Sequence, residues 1–153
     1  MTAIEEKNKA IVEEAFDTLF NRRDYAKAER FWSPDYVQHS AHIPPGREGL
    51  FGLVKSLPPT LRHETELTVA EGDWVMVRGR FNGHGLPAPW IVVDTIRMAD
   101  GVLAERWDVI EDEATSSQAE PATQGAPAAC TSRVRGQRQP AWSCRKCPAP
   151  VSH

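Results

Sequence analysis

The sequence predicts an α+β domain, with three N-terminal helices packed on one face of a curved, mainly antiparallel sheet. Two observations predict it. The apolar period is helical up to about residue 57 and changes to two from Arg62 onward. The second half is also cut by turn signals at Gly72-Asp73, at NGHGLPAP and at Ala99-Asp100-Gly101, the punctuation of a strand meander. With 153 residues the chain suits a single core, and its composition shifts near Ser116. Residues 1–115 are therefore read as the domain and 116–153 as a tail.

The first helix shows apolar residues at Ile4, Ile11, Val12, Ala15, Phe16, Leu19 and Phe20, one helical face ending near Asn21. Thr2 and Glu5 have the spacing of a capping box. Asp24 can cap a second short helix, YAKAERFW, stopped by Ser33-Pro34. YVQHS reads as a short strand. REGLFGLVKSL is a third helix with Leu50, Phe51, Val54 and Leu57 on one side, ended by Pro58-Pro59. Four long strands follow. RHETELTVAEG would place His63, Thr65, Leu67 and Val69 on one face, and DWVMVRGRF comes next. PWIVVDTIRM sets Trp90, Val92, Asp94, Ile96 and Met98 together. VLAERWDVIED would place Val102, Ala104, Arg106, Asp108 and Ile110 on one face, and Leu103, Glu105, Trp107 and Val109 on the other.

The tail is rich in Pro, Ala, Ser, Arg and Gln and lacks periodic apolar residues, so it is expected to be disordered. A shifted reading frame in a GC-rich gene would have the same composition. All three cysteines lie there, and Cys144 and Cys147 form one C-x-x-C pair, two ligands where a structural zinc needs four. The tail's basic residues contrast with an acidic body, and the net charge of −3 gives no footing for nucleic acid. No apolar run approaches a membrane span, and the acidic, interrupted N-terminus is not a secretory signal. A cytoplasmic protein is expected.

The polar residues on strand faces carry the chemistry. Asp94 has four apolar companions on its face. It is either an acid in a pocket or an anchor paired with an arginine. Asp108 shares a face with Arg106, which would hold it ionised. The second face of that strand, with Trp107 and Val109, needs cover, and a homodimer through the outer sheet face would supply it. His39 and His84 are the histidines placed to move protons. No ligand spacing among the histidines and acids supports a metal, and neither a phosphate loop nor a nucleophile elbow is present.

The order helix, helix, YVQHS, PPGREGLF, VVDTIRMADG, LAERWDVIEDEA resembles the SnoaL-like polyketide cyclase branch of the NTF2-like superfamily over residues 1–115. The matching positions are Tyr36, Gln38 and His39, then Asp94, Arg97, Asp100 and Gly101, then Glu105, Trp107 and Asp108. One position departs: Arg106 stands where the family has a histidine. The resemblance implies a cone-shaped fold, often dimeric, without metal or cofactor. It also implies a pocket Asp acting as general acid/base in an intramolecular aldol closure. That role falls on Asp108, with Asp94 competing. His39 and Arg106 would polarise the carbonyl, and Trp90, Val92, Ile96, Phe16, Trp32, Tyr36 and His84 would surround a small apolar, polyketide-like substrate. The alternatives are a hydrolase of the epoxide-hydrolase type, with Asp94, Arg106 and Asp108 on one water, and a binding module without turnover.

Overall fold

The computed structural model of the chain describes residues 2–116, 118 and 119. The expectations for the cysteines and basic residues of the tail lie outside the described residues. Helix α1 (Ala3–Phe16) starts on the expected capping box, with the Glu5 carboxylate accepting from the Thr2 N–H at 2.7 Å. It runs into a π-helical turn, Asp17–Asn21, so the helical segment does end at Asn21. The insertion fits the known use of π-turns beside functional sites, and here it carries Phe20 into the core.

Helix α2 is shorter than expected, Tyr25–Ala28, capped by Asp24. Trp32, expected as the last residue of that helix, begins strand β1 (Trp32–Gln38) instead. Tertiary pairing overrides local pattern. Trp32 is the parallel ladder partner of Leu103, and the Leu103 N–H donates to Phe31 at 2.8 Å. Pro34 is tolerated because β1 is an edge strand. Helix α3 (Gly46–Ser56) precedes β2 (Arg62–Glu71), β3 (Trp74–Asn82), β4 (Trp90–Ala99) and β5 (Val102–Asp112).

The sheet order is β1-β5-β4-β3-β2. Only the β1–β5 pair is parallel. Helix residues Val12, Phe16, Leu19, Leu50 and Val54 share one core with the strand residues Val75, Val77, Val92 and Ile96. Helices on one side of a mixed, curved sheet are the NTF2-like arrangement expected.

Two bulges correct the expected faces. In β2 the register slips between Thr65 and Leu67. His63 stays inside, but Leu67 and Val69 turn out to the surface, where both are about half exposed. In β5 the register slips beside Ala104, because Met98 pairs with Leu103 while Arg97 pairs with Glu105. Leu103 therefore points into the core, not outward with Trp107. One extra residue flips every side chain on one side of it. On β5 the bulge lets Leu103 pack inside while keeping Arg106 and Asp108 on the same inner face.

Candidate functional site

The inner face of β4 alternates as expected: Val92, Asp94, Ile96 and Met98 are all buried. Asp94 stands directly opposite Asp108 in the β4–β5 ladder. Two carboxylates so close would repel unless a cation joined them, and Arg106 is that cation. Its Nε and Nη2 both donate to Asp94 Oδ1, at 2.8 and 2.7 Å, and Nη2 lies 3.7 Å from Asp108 Oδ2. The side chains of all three are almost wholly shielded from solvent. Burial pushes the Asp94 carboxyl above its ordinary value, with Arg106 pulling it part of the way back. Burial opposes the charge on Arg106, but Asp94, Tyr36 and Asp108 outweigh it and hold the guanidinium charged.

The group is not saturated. Asp94 Oδ2 and Gln38 Nε2 are buried and make no hydrogen bond. Native interiors rarely leave such atoms orphaned, and clusters of them mark places where water or a ligand bonds. Strand β1 brings two more polar groups to this side. The Tyr36 hydroxyl donates to Gln38 Oε1 at 2.5 Å. Burial pushes the Tyr36 phenol up to about 12, so it remains a neutral donor.

Arg106 is also the polar floor of an apolar cavity of about 170 Å³. Phe20, Phe81, Leu50 and Val54 contribute to its walls, and His42, Trp90 and Ile110 stand at the mouth. Asp108 is not itself a lining residue but lies between two that are, Arg106 and Ile110, on one strand face. Asp94 sits behind the guanidinium with no exposure at all.

Of the other residues expected around the substrate, Trp90 lines the cavity. His84 stacks behind it at 4.0 Å with ring planes 16° apart. Phe16, Trp32, Val92 and Ile96 are core residues that do not line it. His39 is placed away from these residues. It follows β1 on the opposite face, stacked on Trp107 at 4.1 Å and bonded to Glu105 at 2.9 Å. The sheet separates it from Asp94 and Arg106, so it cannot polarise a carbonyl in this cavity.

The sequence reading missed His63. Burial pushes this imidazole down to about 4, helped by the nearby Arg106, so it is neutral. Phe16, Phe20 and Phe81 surround it at ring distances of 5.3, 5.7 and 4.7 Å. Asn21 fixes its backbone, accepting from the His63 N–H at 2.8 Å and donating to its carbonyl at 3.0 Å. Gly79 makes room for the ring: a Cβ there would lie 2.6 Å from His63 Nε2. Alternation places His63 on the inner face, but its cage comes from two segments distant in sequence, the first helical segment and β3, and has no local signature. Among the described residues no group of His, Cys, Asp and Glu is arranged to hold a metal. None of their helices is long and apolar enough to cross a membrane.

The model of the SnoaL-like domain matches residues 12–106, more than half of the chain. The chain belongs to the SnoaL-like domain family. Solved structures share its fold at low identity. A candidate ketosteroid isomerase from Kribbella flavida is 18% identical with a TM-score of 0.64, covering 87% of this chain and 93% of that one. IdmH, a candidate polyketide cyclase from Streptomyces antibioticus, is 21% identical with a TM-score of 0.56, covering 68% and 91%. An LEH-like epoxide hydrolase from M. tuberculosis is 15% identical with a TM-score of 0.57, covering 71% and 85%. No curated protein matches. A SnoaL-like domain with these neighbours has a shared scaffold and no single inherited chemistry.

Proposed function

We propose that this SnoaL-like domain is a cofactor-independent acid/base enzyme acting next to the carbonyl of a small apolar molecule, as an aldol-type cyclase or isomerase. One observation carries the reading: a buried, ion-paired Arg106 forms the floor of an otherwise apolar cavity, with Asp108 beside it on the same face. Arg106 Nη1 is not bonded to either aspartate and can donate to the carbonyl oxygen. Asp108 removes the adjacent C–H proton, and the negative charge that develops on oxygen meets the guanidinium in a water-poor site. The proton then returns to a different carbon in an isomerase. In a cyclase the enolate carbon instead attacks a second carbonyl of the same molecule, whose π electrons move to oxygen, and Asp108 returns its proton to that alkoxide. Asp94 fixes Arg106 by taking Nε and Nη2, and Tyr36 and Gln38 supply neutral donors from β1. His39 has no part in this scheme.

The test is exchange of the α-hydrogens of cyclohexanone in deuterated buffer, followed by NMR. The wild-type chain should exchange them faster than buffer alone. Ligand binding with no exchange would make the domain a binding module.

A second reading has its own support. Asp94, Arg106 and Asp108 do converge, and Gln38 Nε2, which is unpartnered, and Asp108 Oδ2 are suited to hold a water. Attack of that water on an epoxide would be hydrolysis. Incorporation of ¹⁸O from solvent water into a diol product, without α-hydrogen exchange, would select it.

The outer sheet face supports a homodimer. Leu67, Val69, Trp74, Met76 and Val109 are exposed there. Trp74 packs on Trp107 at 5.5 Å, and the Arg78–Glu66 and Arg97–Glu105 ion pairs lie among them. An apolar centre with charged groups around it suits a self-complementary two-fold contact. Sedimentation should show a dimer at micromolar concentration, and Met76→Glu should convert it to monomer. A wild-type monomer would refute the dimer.

A further inference from the structure

The apolar cavity above Arg106 does not stop at its mouth. His42, Trp90 and Ile110 line it and also line a second recess of about 230 Å³, completed by Glu111 and Asp112. Three shared residues make the two compartments neighbours across a common wall. Among the described residues, Arg106 and His42 are the only ionisable side chains lining the inner compartment, one at the floor and one at the exit. The exit wall is flat and firmly held. Trp90 stacks on the buried His84, whose Nδ1 accepts the Leu86 N–H at 3.2 Å, and Trp90 pairs with Asp112 across the β4–β5 ladder.

Charge differs sharply between the two ends. The inner end is cationic and enclosed. In the outer recess Glu111 and Asp112 are exposed and form no ion pair among the described residues, while nearby Arg80 is engaged by Glu113 and Glu66. An anionic group would be repelled there, whereas a ring can lie on Trp90 and a hydroxyl can donate to His42.

We propose that the substrate is a two-part molecule: a carbonyl-bearing ring in the inner cavity and a flat, uncharged, hydroxyl-bearing second ring on Trp90, with His42 determining specificity by holding the hydroxyl. The orientation rests on the carbonyl reading of the Arg106 floor.

Dissociation constants for the full chain test this with four probes: cyclohexanone, 4-phenylcyclohexanone, 4-(4-hydroxyphenyl)cyclohexanone and 4-(4-oxocyclohexyl)benzoic acid. The added phenyl ring should tighten binding about tenfold, from stacking and burial. The hydroxyl should add about fivefold, the size of one net hydrogen bond. The carboxylate should cost about tenfold relative to phenyl. His42→Ala should erase the hydroxyl gain, so that the phenol and 4-phenylcyclohexanone bind alike, and Trp90→Ala should erase the ring gain while cyclohexanone still binds. The proposal is overturned if no probe binds, if the ring adds nothing, if carboxylate binds as well as hydroxyl, or if His42→Ala weakens all probes alike. Probes that bind in the expected order without α-hydrogen exchange would uphold the two-part site and end the carbonyl acid/base reading. Exchange of cyclohexanone with no gain from the ring would do the reverse.

Discussion

Arg106→Leu should cost the fold about 3–5 kcal/mol and remove activity together, because it leaves the carboxylates of Asp94 and Asp108 facing each other without a cation. The guanidinium also lies 5.6 and 5.9 Å from the ring centres of Phe16 and Phe20, contacts that leucine would partly keep as packing. Two further variants separate stability from function. Arg106→Lys keeps a charge but cannot offer Nε and Nη2 to Asp94 while presenting Nη1 to a ligand. It should retain much of the stability and lose most of the activity. The triple variant D94N/R106L/D108N removes all three charges, and it should recover most of the stability lost in Arg106→Leu without any activity. Urea denaturation and the α-hydrogen exchange rate read the two effects. If Arg106→Leu were as stable as wild type, the buried cluster would not have the charge balance argued here. If Arg106→Lys kept full exchange activity, the floor would not act through its fork.

How much of this could be read from the sequence depended on whether the information was local. β4 could be read residue by residue because alternation runs unbroken through it, and an acid among Val92, Ile96 and Met98 is conspicuous. The pairing of Arg106 with Asp108 on one face was legible for the same reason. The faces of β2 and β5 were legible only up to their bulges. Glu66 and Ala104, where the registers slip, are ordinary strand residues with no glycine beside them to signal a break. Trp32 closes a segment that reads as helix, and only its ladder with Leu103, 71 positions away, makes it a strand. The cavity walls on α3 could not be told from core, because Leu50 and Val54 are apolar on the same helical face in either case. Histidines were the least legible. His39 occupies a family motif position yet faces outward, whereas His63 sits in a plain strand pattern and becomes buried only when Phe16, Phe20 and Phe81 converge on it.

The two aspartates should separate by what they do. Asp108→Asn removes the acid beside the cavity and should slow exchange by about 10²–10⁴-fold with little change in cyclohexanone affinity. Asp94→Asn leaves that acid in place but replaces the acceptor that holds Nε and Nη2. It should weaken cyclohexanone binding as well as turnover, because Arg106 is no longer fixed at the floor. Stability against pH provides an independent check on Asp94. Its native pKa is raised above 3.8, with burial as the leading cause, so the folded chain holds this proton more tightly than the unfolded chain does. Its contribution to stability is complete below pH 3.8 and is lost as pH rises through the native value. The wild-type advantage over Asp94→Asn in urea denaturation should therefore shrink as pH increases from 4 toward neutrality. An advantage that grew with pH would mean that Arg106 outweighs burial and holds Asp94 as an ordinary salt-bridged carboxylate.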